Sequence, residues 1–272
     1  MNYRHTYHAG NFADCFKHAI LIWLLQAMQR KPKPFFVLDT HAGIGAYDLT
    51  GDAAQRTGEW QSGIARILEN TPPALQAYAD LARDPTHYPG SPSIIRALLR
   101  PGDRAVLCEL HPDDHAVLRR NFARNPQMAV HLRDGYEAVG AFLPPPERRG
   151  LTLIDPPYES GDEFSKLESA VRLAQARFAG GVVAAWYPIK HRAPIRAFHD
   201  SLRRGGIRDI VAAEFLLRAP LDPARLNGCG MLILNPPFRF EADMPPILDC
   251  LLDRLGDREA GEGTAMLRLA DE

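Results

Sequence analysis

Short apolar runs alternate along this chain with longer stretches whose apolar residues recur at helical spacing. Residues 35–39, 105–109, 127–132, 151–155, 181–187, 207–215 and 231–234 read as seven buried strands, bounded by glycine, proline or an acid. Ahead of them, residues 14–29 read as a helix with Phe16, Ile20, Trp23, Leu24 and Met28 on its apolar face. Asp14 is expected to cap it, with Lys17 and His18 in its first turn. Further helices are expected from Gly90 to near Arg100 and through Leu118 and Phe122. This rhythm predicts an α/β fold with a Rossmann-like, mostly parallel sheet.

One interval breaks the rhythm. Residues 47–89 hold two helical-looking segments, 56–70 and 74–83, parted by Thr71-Pro72-Pro73. They are expected to form a small helical insertion within a single domain spanning 1–272, either as decoration or to widen a surface for a large substrate.

A chain of 272 residues can bury one large core. Lys and Arg number 32 against 33 Asp and Glu, so there is no global electrostatic signature for nucleic acid. Any such contact must use local patches, with Arg4, Lys17, Arg148, Arg149, Lys190 and Arg192 as candidates near a cleft rim. The four cysteines are scattered, which argues for reduced thiols and against a Cys-based zinc site. His5 and His8 have a metal-like spacing without a third obvious ligand, so no metal is expected. No apolar run is long enough to span a bilayer, and the first residues do not resemble a secretory signal. A cytoplasmic monomer without membrane attachment is expected.

The chemistry concentrates where strands end. Asp39 is followed by Gly43 and Gly45, glycines that let backbone approach a ligand as a strand hands over to a helix. Asp48 stands where the dinucleotide fingerprint has its third glycine, which disfavours a nicotinamide cofactor. The next strand-terminal acid, Glu109, comes far beyond the usual spacing of about 20 residues. Asp134-Gly135 and Asp155 follow the next two strands. In a doubly wound sheet these ends share one edge. Glu109 suits a ribose diol and Asp134 an adenine amino group, while Gly135 lets a base lie against backbone. Each acid alone also suits a helix cap; four in succession point to a cofactor site.

Residues 151–158 carry the most specific chemistry. An apolar strand breaks at once into Asp155-Pro156-Pro157-Tyr158. The prolines fix φ, so Asp155 and the Pro156 carbonyl become rigid acceptors beside the Tyr158 ring. Two acceptors next to a flat ring suit an aromatic amine, whose delocalised lone pair makes it a poor nucleophile until hydrogen bonds pull it out of conjugation. A Pro-Pro turn with Asp155 capping the next helix is the plain alternative. Asn235-Pro236-Pro237-Phe238 has a similar outline, but it ends a late strand and carries no carboxylate, so it reads as a turn.

Asp155-Pro156-Pro157-Tyr158 after a Gly-rich first strand resembles class I S-adenosylmethionine-dependent methyltransferases that modify amino groups. More specific are the block from Tyr3-Arg4-His5 through His8-Ala9-Gly10-Asn11 to Lys17-His18, Leu38 to Gly43, Tyr88-Pro89-Gly90-Ser91-Pro92, Glu109-Leu110-His111-Pro112 and Trp186-Tyr187-Pro188. With these, nearly the whole chain is similar to the bacterial 23S ribosomal RNA adenine-N6 methyltransferase J family. The resemblance implies methylation of one adenine in 23S ribosomal RNA. It implies that S-adenosyl-L-methionine lies against His18, His41, Ser91, Glu109, Asp134 and Gly135, near Gly43 and Asp155. It places Asp155, Pro156 and Tyr158 at the catalytic centre, and Tyr3, His5, Lys17 and Tyr158 against the target nucleotide. The same motifs also admit a DNA adenine methyltransferase, or an RNA-binding protein of this fold without turnover.

Overall fold

The computed structural model describes residues 4–271. Helix α1 (Phe12–Gln29) precedes β1 (Phe36–Asp39). The stretch that follows contains β2 (Ala46–Tyr47), α2 (Asp52–Thr57), α3 (Ile64–Glu69), α4 (Gln76–Leu81) and β3 (Tyr88–Pro89), the two short strands pairing only with each other. Then come α5 (Ser91–Leu98), β4 (Arg104–Glu109), α6 (Pro112–Phe122), β5 (Met128–Leu132), α7 (Gly135–Phe142) and β6 (Gly150–Ile154). The chain continues through α8 (Glu163–Arg177), β7 (Val182–Ile189), α9 (Arg192–Arg204), β8 (Ile210–Leu216), β9 (Gly228–Leu234), α10 (Phe240–Leu255) and β10 (Gly263–Ala270).

The main sheet has the order β10-β8-β9-β7-β6-β1-β4-β5, eight strands rather than the seven expected. The additional strand is β10, an antiparallel edge registered on β8 from Gly263 opposite Leu216. Thr264 is its one β-branched residue, so pairing with β8 rather than local propensity makes it a strand. From β5 to β7 the sheet is parallel. β9 runs antiparallel to both β7 and β8. The result is the mostly parallel, Rossmann-like sheet expected, with an added antiparallel edge.

Successive strand residues point to opposite faces, and both faces are covered. Val37, Leu107, Leu151 and Leu153 pack into the core with α1, α5 and α10, while Phe36, Leu38, Val106 and Ile154 pack with α7, α8 and α9. This two-sided burial explains why the parallel strands read as continuous apolar runs.

Helix α1 begins earlier than expected. Asn11 is its cap, its side chain accepting from the Asp14 N–H at 3.0 Å. Asp14 is therefore inside the helix, and Lys17 and His18 fall in the second turn rather than the first. The helix is buried on most sides, these three polar residues included. Such groups need partners, and they find them at the edge where β1 and β6 end.

The expected helix over 56–70 is split. Gly58, at φ +64°, ends α2, and a Cβ at Gly63 would sit 2.0 Å from the Gly10 carbonyl. The Ile64 N–H donates to that same carbonyl at 2.8 Å, so the N-terminal segment docks where the helix would have run.

Candidate active site

Because β1, β4, β5 and β6 are parallel, Asp39, Glu109, Asp134 and Asp155 are delivered to one edge. Reversal of β9 sends Asn235 to the opposite edge. There the Asn235 side chain donates to the Ala179 and Gly181 carbonyls at 2.8 and 2.7 Å, closing a turn.

A cavity of about 1410 Å³ opens along the acidic edge, larger than the roughly 300–1,000 Å³ of a usual small-ligand site. Within its wall, Lys17 Nζ lies 2.5 Å from Asp155 Oδ2 and 3.0 Å from Asp14 Oδ1. Burial disfavours the ammonium, but the Asp155 and Asp14 carboxylates outweigh it and hold Lys17 protonated. Asp14 is 1 % exposed and also accepts from His5 Nε2 and the Gly10 N–H, each at 2.9 Å. Burial opposes its charge too, yet His5 and Lys17 hold its carboxyl well below the usual range.

Next to Asp155, Pro156 is buried and Tyr158 takes φ 52°, a left-handed conformation costing a non-glycine residue about 1–3 kcal/mol. Its hydroxyl donates to the Trp186 carbonyl at 2.9 Å, and its ring meets Phe164 and Trp186 edge-on at 5.3 and 5.7 Å. Burial raises the Tyr158 phenol well above its ordinary value, so it remains a donor and the ring orientation is held.

The expected cofactor residues form the rest of the wall. Glu109 accepts from the Gly43 N–H at 2.9 Å and the His111 N–H at 2.7 Å. Burial raises its carboxyl. Ser91 donates to Asp39 Oδ2 at 2.6 Å, while Asp39 Oδ1 is buried without a partner. Burial pushes Asp39 up to about 7. His41 has its Nδ1 2.8 Å from Thr40 Oγ1 and is held below the usual histidine value by burial. Asp134 Oδ1 caps α7 through the Tyr136 and Glu137 N–H groups, and the residue also lines the cavity. A Cβ on Gly135 would meet the Thr40 carbonyl at 2.2 Å and His41 Cε1 at 2.8 Å; the residue is glycine because the ends of β1 and β5 converge. His18 is buried, with Nε2 unpartnered.

The expected catalytic, cofactor and target-nucleotide positions among the described residues line this one cavity; of the four strand-end acids, Asp39 alone is not in the lining, being fully buried and bonded to the lining Ser91. Tyr3 lies outside the described residues. The rim residues divide. Lys190 lines the cavity, whereas Arg4 pairs with Asp113 and Asp114, and Arg192 with Glu214. Arg148 and Arg149 precede β6 and so sit at the edge away from the acids, Arg149 donating to the Lys33 and Met28 carbonyls. They are not rim residues, because the loop before a parallel strand lies at its amino end. Sequence reasoning missed Asp14 as an ion-pair partner, Trp186 as a wall of the Tyr158 site, and Arg218 and Arg225, which reach the cavity from the connection between β8 and β9. Asp14 and Trp186 had a signal, since each lies within a motif that carries the family resemblance.

His5 and His8 turn to different acids, Asp14 and Glu59, each at 2.9 Å. Among the described residues no group of three or more His, Cys, Asp or Glu is placed to hold a metal ion. No helix there is long and apolar enough to cross a membrane.

Comparison with known proteins supplies a family. Residues 32–267 match the family model described as "Ribosomal RNA large subunit methyltransferase D, RlmJ". The chain is 38% identical over 273 residues to "Ribosomal RNA large subunit methyltransferase J" of Haemophilus influenzae, and 39% identical over 272 residues to the protein of that name from Escherichia coli. Each alignment covers 97% of both chains. A crystal structure of protein LPL1258 from Legionella pneumophila superposes with a TM-score of 0.87 at 34% identity, covering 96% of this chain and 98% of that one. With Glu109, Asp134 and the Asp-Pro-Pro-Tyr site in one cavity, a match of this extent establishes that the chain belongs to the ribosomal RNA large subunit methyltransferase J family.

Proposed function

We propose that the protein methylates the exocyclic N6 amine of an adenine in 23S ribosomal RNA, using S-adenosyl-L-methionine, in the cytoplasm where that RNA is made. One observation carries the reading: the Asp155 carboxylate, the Pro156 backbone and the Tyr158 ring stand together at a strand end on a cavity large enough for a cofactor and a nucleotide.

An orphaned buried atom of the lining residue His18, Nε2, is what a polar ligand would complete. The donor set fits this cofactor. Glu109 would hold ribose hydroxyls and Asp134 an adenine amine, with His18, His41, Gly43, Ser91 and Gly135 shaping the remainder. When bound, the cofactor supplies an electrophilic methyl group on a sulfonium.

The chain's own groups prepare the amine. Lys17 engages Asp155 Oδ2, which leaves Oδ1 to accept from the adenine amine while the Pro156 carbonyl accepts its second hydrogen. Both bonds favour a tetrahedral nitrogen with an available lone pair. Asp155 then receives the surplus proton, and Tyr158 holds the ring in line. A stacked adenine cannot reach this depth, so the base must be unpaired or flipped out. Lys190, Arg225 and Lys166, exposed or half-exposed on the cavity wall, are placed to take RNA phosphates. His5 and Lys17 would contact the target nucleotide. Residues 47–89 act as an insertion within this single catalytic domain, braced against α1.

A transfer assay comparing naked 23S RNA with duplex DNA tests the substrate. Incorporation into RNA alone supports the reading; incorporation into DNA alone replaces it with the DNA enzyme.

A further inference from the structure

His18 is buried at 1 % exposure, and its two ring nitrogens have different surroundings. Nδ1 lies 3.1 Å from the Tyr88 hydroxyl and 3.5 Å from the Tyr78 hydroxyl, and the two phenols are 2.7 Å apart. Nε2 is buried with no hydrogen-bond partner, its nearest acid being Asp14 Oδ1 at 3.9 Å, beyond hydrogen-bond range. Both tyrosines come from the 47–89 stretch and are fully buried.

The protons in this cluster can be assigned. Burial lifts both phenols well above their ordinary value, so each carries its proton. Burial also lowers His18 to about 3 against the pull of Asp14, so the imidazole is neutral and has one N–H. Cys15 has an acceptor of its own in the Gly10 carbonyl at 3.8 Å. Two relays fit: His18 Nδ1–H to Tyr88 to Tyr78 to Cys15 Sγ, the last contact at 3.6 Å, or Tyr78 to Tyr88 to His18 Nδ1. The Asp14 carboxylate 3.9 Å from Nε2 favours the second, which puts the ring proton on the nitrogen facing that charge. An imidazole nitrogen that accepts has no proton, so the proton is on Nε2.

We propose that Tyr88, oriented by Tyr78, fixes His18 as the Nε2–H tautomer and so presents a donor to an acceptor oxygen of the bound cofactor. This rests on the methyltransferase reading above. It gives the 47–89 stretch a positioning role in cofactor binding, in addition to any contact with RNA. The Nε2–H has no acceptor within the protein because the ligand supplies it. Asp14, tied to Lys17 and His5, stays available to the Lys17–Asp155 pair.

The test is histidine-labelled 15N NMR of the full chain, alone and with S-adenosyl-L-methionine, on wild type, Tyr88→Phe and Tyr78→Phe, with affinity measured by calorimetry. Wild type should show His18 as the Nε2–H tautomer, with the Nε2 proton moving downfield when the cofactor binds. Tyr88→Phe should mix the tautomers and weaken cofactor binding about tenfold. Tyr78→Phe removes the group that orients Tyr88 but leaves the Tyr88 hydroxyl on His18, so it should have a smaller effect on both readouts. An Nδ1–H tautomer in wild type overturns the proposal even if neither variant folds. So does an unchanged tautomer or affinity in Tyr88→Phe, or an Nε2 proton unmoved by the cofactor. Wild type that binds no S-adenosyl-L-methionine overturns the functional reading instead, and the tautomer is still read in the free protein.

Discussion

Lys17 Nζ stands 2.5 Å from Asp155 Oδ2 across 138 residues of chain, joining the first helix to the strand end that bears the Asp-Pro-Pro-Tyr site. Asp14 completes the contact from one turn earlier on α1, at 3.0 Å from the same ammonium. Two acids therefore share one buried cation.

Asp155→Ala should lower methyl transfer by about 10²-fold or more, the scale of losing a group aimed at charge that develops in the transition state. Cofactor affinity should stay within a few-fold of wild type, because Lys17 retains Asp14. Single-turnover transfer and calorimetry on the same preparation separate the two effects, and near-normal turnover would move the catalytic role elsewhere.

Lys17→Ala leaves Asp14 buried without its ammonium, and should destabilise the fold by about 3–5 kcal/mol. Adding Asp14→Asn should recover part of that loss, since residues in one ion-pair network are non-additive. Urea unfolding of the two single variants and the double variant checks this; strict additivity would mean the contact carries no coupling.

Asp39 gives a pH signature. Its carboxyl is pushed up to about 7 by burial, with Asp155 adding to the shift against the Ser91 hydrogen bond. Between about pH 4 and 7 the folded protein keeps a proton that the unfolded chain has lost, so this residue's contribution to stability falls as pH rises through that window. His18, held low, contributes the opposite slope over part of the range, so the comparison must be with Asp39→Asn. The variant should gain stability relative to wild type from pH 4 to 7, with the gain level above that. A pH-independent difference would contradict the assignment.

Gly135→Ala should cost about 1–3 kcal/mol, the usual penalty of overpacking, because its Cβ would meet the Thr40 carbonyl at 2.2 Å. Cofactor affinity should fall as well, since the displaced neighbour is His41. Thermal melts with and without S-adenosyl-L-methionine read both; unaltered stability would show that the strand ends are free to part.

Much of the site was legible because its acids occupy strand ends. A run such as Leu151-Thr152-Leu153-Ile154 announces a buried parallel strand, and the residue after it must appear at the carboxyl edge, so Asp39, Glu109, Asp134 and Asp155 converge without any knowledge of contacts. What stayed hidden depends on distant partners. Asp14 looks like a helix cap until Asn11 is seen to take that place, and its pairing with Lys17 beside Asp155 exists only in the folded chain. β10 has the composition of a helix and is a strand because β8 offers an open edge. The break at Gly63 follows from the approach of Gly10, more than fifty residues earlier. Charge alone suggests Arg148 and Arg149 as rim residues, although their position ahead of β6 already assigns them to the far edge.

The most direct measurement is tritium transfer from S-adenosyl-L-methionine to 23S ribosomal RNA purified from cells lacking this gene, followed by nucleoside analysis. Label recovered as N6-methyladenosine, and lost with Asp155→Ala, is the expected result. Label in another nucleoside, in DNA alone, or undiminished in the Asp155 variant would contradict the proposed chemistry.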